Sequence, residues 1–376
     1  MTDTNDTILM IAASEGNADM LYAAKLFVPD PFTYIQHNGT KTMVMSDLEI
    51  DRAKAQADVD EVLSLSAYQK KIKDRGVETP KFMEIVTEVL NDLEIASVVV
   101  PNAFPVGYAD QLRERGITVS VKEDPFFEQR TTKTQQEVDF ISAASRHTES
   151  AMRMAISAIS EATVKDGILH GPNGVITSES IKRLINIHLL ERDCIAEHTI
   201  VAGGIQGCDP HNAGSGPLRA GEPIIMDVFP KDATTGYYAD ITRTVVKGPA
   251  SDALKRQYDA VLKAQHVVFE QLKGGADGEE IHISVQDFFE EKGYETGEKD
   301  GRMQGFFHGT GHGFGLEVHE PPRIAPTPET LKTGQIVTVE PGLYYTDTGG
   351  VRIEDNVWLT DTGYENLTQL EKVLEV

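Results

Sequence analysis

Two segments of this chain repeat one pattern, and that repeat restricts the fold more than any other feature. In GEPIIMD, Gly221 precedes Asp227 by six residues; in GQIVTVE, Gly334 precedes Glu340 by six. A second acid follows each. Gly236 leads by four residues to Asp240 in GYYAD, and Gly350 leads by four to Glu354 in GVRIE. The acids lie 13 residues apart in the first pair and 14 in the second. Two strands joined by a turn, used twice, would produce this spacing. Side chains along a strand alternate faces. Thr338 and Glu340 therefore share a face opposite Val337 and Val339, Arg352 and Glu354 share one opposite Val351 and Ile353, and Asp240 shares one with Thr242 opposite Ile241. Ile224, Ile225, Met226 and Val228 put apolar residues on both sides of Asp227, which reads as burial. An ionised carboxylate in that setting must be paired with a cation or ligate a metal.

Histidines strengthen the metal reading. Residues 308–320 read HGTGHGFGLEVHE, which brings His308, His312 and His319 into one glycine-punctuated stretch. Glycines at 309, 311, 313 and 315 suit tight backbone paths and are wrong for a regular helix. Imidazole and carboxylate together make a site for divalent ions such as Mn, Co or Zn. Four carboxylates and two divalent ions would balance in charge. Metal pairs roughly 3.5–4 Å apart recur in aminopeptidases and phosphatases, where they acidify a shared water and polarise a carbonyl. A purely structural metal site is the competing reading.

Ahead of this region, residues 1–125 read as a small α/β domain. Ile8–Ala13 is a short apolar run, Thr33–Met45 a hairpin turning at Asn38-Gly39, and Val98–Val100 and Val119–Val121 are further strands. Thr79-Pro80 can open a helix in which Phe82, Ile85, Val86, Val89 and Leu90 form one stripe. The apolar pattern lapses over Lys122–Lys133, and a second domain is expected over 130–376. Thr134 with Glu137 is a capping-box signal for a long helix through Val138, Ile141, Met152 and Ile156. Another helix is expected over 252–273, stopped by Gly274-Gly275. The net charge of −24 makes nucleic acid and membrane surfaces poor partners. No apolar run approaches the roughly 18–20 residues that span a bilayer. The acidic start lacks the basic opening and long apolar region of a signal peptide. Cys194 and Cys208 could make one bridge at most, so a reducing cytoplasm is expected.

The segments DVFPKDATTGYYADITRTVVKG, HGTGHGFGLEVHEPPRI, TVEPGLYY and GVRIEDNVWLT resemble the motifs of the Xaa-Pro peptidases. These are the proline dipeptidase and aminopeptidase P branch of the pita-bread metallopeptidases, which also contain methionine aminopeptidase and creatinase. The resemblance covers about residues 130–376 and implies an α+β chain: a pita-bread catalytic domain preceded by a creatinase/prolidase-like N-terminal α/β domain. It further implies that Asp227 holds one ion, that Asp240 and Glu354 bridge two, and that His312 and Glu340 hold the other. Glu340 would be the general acid/base for a metal-bridged hydroxide, and His211 and His319 would contact the carbonyl or tetrahedral intermediate. His308 would line the proline end, and Arg323 would clamp a terminal carboxylate with the bidentate geometry guanidinium allows. Arg352 would reach the substrate or pair with a ligand carboxylate. Short proline-containing peptides are the implied substrates, two divalent ions (manganese first, cobalt or zinc as alternatives) the cofactors, and a homodimer the implied assembly.

The sequence also departs from the family. The family usually shows a glycine two residues after the first ligand; this chain has Phe229-Pro230, and the loop from there to Asp240 is slightly longer. HNAGSGPL around His211 also differs from the usual prolidase pattern. These changes fall beside the substrate and bear on specificity more than on metal. Three alternatives follow: a pita-bread hydrolase or lyase acting on a non-peptide C–N or C–S bond, a methionine aminopeptidase, and a binding module without catalysis. The leading domain argues against the second, and the intact ligand set against the third.

Overall fold

A computed structural model describes residues 7–376; the acidic start, Met1–Asp6, lies outside the described residues. Two compact units follow one another along the chain, one ending at Glu128 and one spanning Gln129–Val376.

In the first unit, strands β1 (Ile8–Ala12), β2 (Phe32–His37), β3 (Thr40–Met45), β4 (Glu61–Ser64), β5 (Ser97–Pro101) and β6 (Thr118–Lys122) form one mixed sheet in the order β4-β3-β2-β1-β5-β6. The expected hairpin joins β2 to β3. Asn38 and Gly39 both take positive φ, 51° and 84°, the conformation a two-residue primed turn requires. Helices α1 (Ala18–Ala24), α2 (Ile50–Gln56), α3 (Leu65–Lys73), α4 (Phe82–Asp92) and α5 (Val106–Glu114) complete the unit. Val86, Val89 and Leu90 of α4 pack with Leu9, Ile35 and Val98 of the sheet. The helix does not open at Thr79-Pro80 as expected. It starts at Phe82, because the Lys81 N–H is captured by the Glu84 carboxylate at 2.8 Å.

The second unit begins with α6 (Gln135–Ser160), whose capping box forms as expected: Thr134 N–H donates to Glu137 Oε2 at 2.8 Å. Next come α7 (Ser178–Leu190) and an antiparallel sheet of β7 (Ile200–Gly203), β8 (Ile224–Val228) and β9 (Ile241–Val245). Met152 and Ile159 of α6 and Ile181 and Ile185 of α7 pack onto Ile224, Met226 and Val228, the alternate residues of β8. Helices α8 (Asp252–Phe269) and α9 (Gly278–Glu291) follow. They cover a second sheet of β10 (Gly311–Gly313), β11 (Glu320–Ile324), β12 (Ile336–Val339), β15 (Asp355–Leu359) and β16 (Tyr364–Asn366), in the order β11-β10-β12-β15-β16. A separate hairpin, β13 (Gly342–Tyr345) with β14 (Gly349–Arg352), lies between β12 and β15 in the chain. α8 ends four residues before the expected stop: the Gln271 N–H bonds the Val268 carbonyl three residues back, and the N–H groups of Gly274 and Gly275 bond Thr360 and Leu331 carbonyls.

The two acidic repeats fold differently. β8 and β9 are direct partners, with Asp227 opposite Thr242. In the second repeat β12 pairs with β15, Val339 opposite Asp355, and the β13–β14 hairpin is inserted between them. The simple two-strand reading therefore holds for the first repeat only. Trp358, the chain's one tryptophan, is opposite Ile336 in the β12–β15 ladder and half-buried. The two sheets are tied by Arg243, 1 % exposed, which donates to Asp355 Oδ1 at 2.8 Å and to the Glu354 carbonyl at 2.6 Å. Both cysteines are buried free thiols. No helix among the described residues is long and apolar enough to cross a membrane.

Candidate metal centre and substrate cavity

Strand alternation places the acids. Ile224, Met226 and Val228 enter the core beneath α6 and α7, so Asp227 points to the other face of β8. Val337 and Val339 enter the core beneath α8 and α9, which leaves Thr338 and then Glu340 on the opposite face. Val351 and Ile353 do the same for Arg352 and Glu354. The two non-core faces line one cavity of about 570 Å³, which is shared by Asp227, Asp240, His312, Glu340 and Glu354. His211, His308, His319, Arg323 and Arg352 line it as well, so the structure brings together all the residues singled out in the sequence. An apolar wall is supplied by Ile200, Phe229, Phe307, Val318 and Ala325. The volume falls in the range of small-ligand pockets.

The carboxylates are short of positive partners. Asp227 Oδ2 accepts from Arg352 Nη2 at 2.6 Å, while Asp227 Oδ1 is buried with no hydrogen-bond partner. Glu354 Oε2 accepts from the Thr242 hydroxyl at 2.7 Å, and Glu340 Oε1 accepts from Thr338 at 3.3 Å. Burial, reinforced by the neighbouring acids, holds the Asp240 and Glu354 carboxyls well above the usual range. Burial likewise pushes Glu340 up to about 7, with Arg352 opposing it.

His312 supplies the complementary observation. Its Nδ1–H donates to the Gly313 carbonyl at 3.1 Å, and burial pushes the imidazole down to about 3, so the ring is neutral. Nε2 then turns a lone pair toward Glu340 Oε1 at 3.3 Å and Asp240 Oδ2 at 3.7 Å. Lone pairs converge on lone pairs there, an arrangement that a cation between them would satisfy. Donor atoms of Asp240, His312 and Glu354 all lie within 4.8 Å of one another. The donor set therefore fits divalent metal.

Around this centre the other side chains divide into tied and untied. His308 Nδ1–H donates to the Gly309 carbonyl at 2.7 Å, and its Nε2 accepts from the Tyr344 hydroxyl at 2.9 Å. Tyr344 in turn accepts from Arg352 Nη1 at 3.0 Å. Arg352 thereby commits its guanidinium to Tyr344, Asp227 and Thr242. By contrast, Arg323 lies opposite His312 in the β10–β11 ladder and makes no ion pair or hydrogen bond through its guanidinium among the described residues. The His211 imidazole likewise has no hydrogen-bond partner among them, and His319 packs edge-on against His312 with ring centroids 4.4 Å apart.

Tyr344 escaped the sequence reading although it stands inside the quoted TVEPGLYY segment. Its signal was weak, since a tyrosine beside a strand pattern usually reads as core. Thr242 and Thr338 were placed on the correct faces by periodicity but without a role.

Comparison with known proteins adds an independent line. The family model for metallopeptidase family M24 matches residues 139–361. An Xaa-Pro dipeptidase of Pyrococcus horikoshii is 30% identical over 312 residues, 82% of this chain and 83% of that protein. An Xaa-Pro dipeptidase of Pyrococcus furiosus is 29% identical over 355 residues, covering 93% of this chain and 94% of that one. Among solved structures, an X-Pro aminopeptidase from Thermotoga maritima superposes with a TM-score of 0.80 at 25% identity, covering 99% of this chain and 98% of that one.

Proposed function

The chain belongs to metallopeptidase family M24 and has the pita-bread fold behind an α/β N-terminal domain; on that premise we propose that it hydrolyses the bond before proline in dipeptides or at the N-terminus of short peptides. We take residues 1–125 and 130–376 as the two domains of this enzyme. The observation that carries the substrate reading is Arg323: a guanidinium with no partner among the described residues, in the same cavity as the candidate ligating cluster. A free substrate carboxylate is the natural partner for it.

We assign Asp227, Asp240, His312, Glu340 and Glu354 as the metal-holding set, with two divalent ions on the ground that three buried carboxylates and the partly buried Glu340 face one buried guanidinium, Arg352. Carboxylate-rich donors favour manganese over softer-site metals. When bound, such ions polarise the substrate carbonyl and lower the pKa of water. The chain's own residues do the rest. Arg323 grips the C-terminal carboxylate and fixes the scissile carbonyl within reach of His211 and His319, whose ring N–H groups stabilise the developing oxyanion. Water oxygen attacks the carbonyl carbon. Glu340 takes the proton released by water and delivers it to the proline nitrogen as the C–N bond breaks.

The test is hydrolysis of Ala-Pro and Ala-Pro-Ala with manganese added and again after chelation. Chelator-sensitive cleavage of the dipeptide alone supports a proline dipeptidase with Arg323 as the clamp. Cleavage of both supports aminopeptidase P-like action. A second reading, a hydrolase or lyase of a non-peptide substrate, is favoured by Phe229 standing in the cavity wall; silence on both peptides with metal bound would select it.

A further inference from the structure

His319 stands on the segment Phe314–His319, which links β10 to β11 without regular structure. The β10–β11 ladder shifts register between His312 and Gly313, so strand pairing does not run through it. Phe314 and Leu316 are buried, which anchors one side of the segment. No hydrogen bond to the His319 imidazole exists among the described residues, so its backbone and its edge-on contact with His312 aim the ring.

Four charged side chains fix that backbone. Arg130 Nη2 donates to Glu317 Oε2 at 2.8 Å and to Glu320 Oε2 at 2.6 Å, and Lys133 Nζ donates to Glu320 Oε1 at 3.2 Å. The Lys133 side chain is 1 % exposed and that of Glu320 4 %. The partners lie 187 and 190 positions apart in the chain, so this is tertiary fastening and not local turn chemistry. Gly315 belongs to the same arrangement, because a Cβ there would overlap Glu320 Oε1. Its carbonyl accepts from the Tyr238 N–H at 2.8 Å. Buried ion pairs gain little net stability, since desolvation offsets the attraction, but their geometry is specific.

We propose that Arg130 and Lys133 are positioning residues: through Glu317 and Glu320 they hold the segment that presents Val318 and His319 to the cavity. The catalytic consequence rests on the peptidase reading of His319; the mechanical one does not. The variants are Lys133→Met, Glu320→Gln and the pair together, the pair restoring charge balance so that folding is preserved. On the manganese-loaded enzyme, kcat for Ala-Pro is expected to fall about 10²-fold in the double variant, the scale of a misplaced catalytic group. KM and bound metal should stay within about twofold, as expected when only the transition state loses an interaction. Adding His319→Ala should then cost far less than it does in the parent. Hydrogen exchange, read on the peptide covering 313–320, should rise at least tenfold while flanking strands stay protected. Equal costs of His319→Ala in both backgrounds, or unchanged exchange, would overturn the proposal. If the parent cleaves no Xaa-Pro substrate, the functional reading falls alone, and the exchange measurement still decides whether the segment is held.

Discussion

At Glu340 the two roles we propose, ligand and proton carrier, compete for one carboxylate, and substitution separates them. Glu340→Gln keeps size and one oxygen but cannot carry the proton. The expected loss is about 10²–10⁴-fold in kcat on Ala-Pro, with bound metal counted alongside to show that the site is still loaded; a variant near parental rate would remove Glu340 from the proton path. Arg323→Ala should act differently. Its guanidinium has no partner among the described residues, so stability is expected to be unchanged while KM for Ala-Pro rises by about tenfold or more, the scale of a lost charged hydrogen bond. KM for Ala-Pro-Ala should move less, and equal shifts for both would count against the clamp. At this scale the sequence was most informative where chemistry and periodicity coincided. Asp227 stands out as a candidate ligand because an acid amid Ile224, Ile225, Met226 and Val228 has no ordinary reason to be there. Arg130, Lys133 and Glu320 gave no such signal, because a lysine or glutamate reads as surface until its partner, almost 190 positions away, is known to bury it.

Elements were legible where a local signal dictated them. The Asn38-Gly39 turn and the Thr134–Glu137 box needed only a few neighbouring residues, and both formed as read. The end of α8 was missed by four residues: the Gln271 N–H closes a tighter turn onto the Val268 carbonyl, and Thr360 and Leu331 carbonyls then take the N–H groups of Gly274 and Gly275. The insertion of β13–β14 was missed for a related reason: two hairpins in sequence can pair as β12–β13 or as β12–β15, and only packing chooses. The close approach of β10 to β12 depends on Gly311, where a Cβ would overlap the Thr338 carbonyl oxygen. Gly311→Ala should therefore force the two strands apart and lower stability by about 1–3 kcal/mol, the usual cost of overpacking. Because His312 is the next residue, metal affinity should fall with it. Urea unfolding and metal titration check both parts, and an unshifted midpoint would mean the strands yield without cost.

Over the whole molecule, pH and metal act on the same groups. His308 and His312 are pushed down to about 3, so they add stability as pH rises toward the ordinary histidine value of 6.5 and nothing above it. Burial raises Asp240, Glu340 and Glu354, so the fold prefers them protonated; that stability is full below the ordinary carboxylate range and is lost as pH rises, for Glu340 through about 7. The metal-free protein should thus weaken between about pH 5 and 7, most steeply where the histidine gain fades near 6.5. Metal must displace those protons, so its affinity should increase over the same interval and cancel the decline. Melting curves across that interval, with manganese and with chelator, test this; identical pH profiles would refute it. Since the donors come from both sheets of the second unit, such binding also draws two halves of one fold into a single cooperative structure. Trp358 offers an optical probe of the β12–β15 ladder in such an experiment. It is the chain's one indole, sits four residues beyond Glu354 on the strand that begins at the ligand cluster, and is opposite the first residue of β12, which runs to Glu340. Intrinsic emission excited at the tryptophan band is consequently a single-site optical gauge of the junction between the two ligand-bearing strands, read without labels and blind to the first unit.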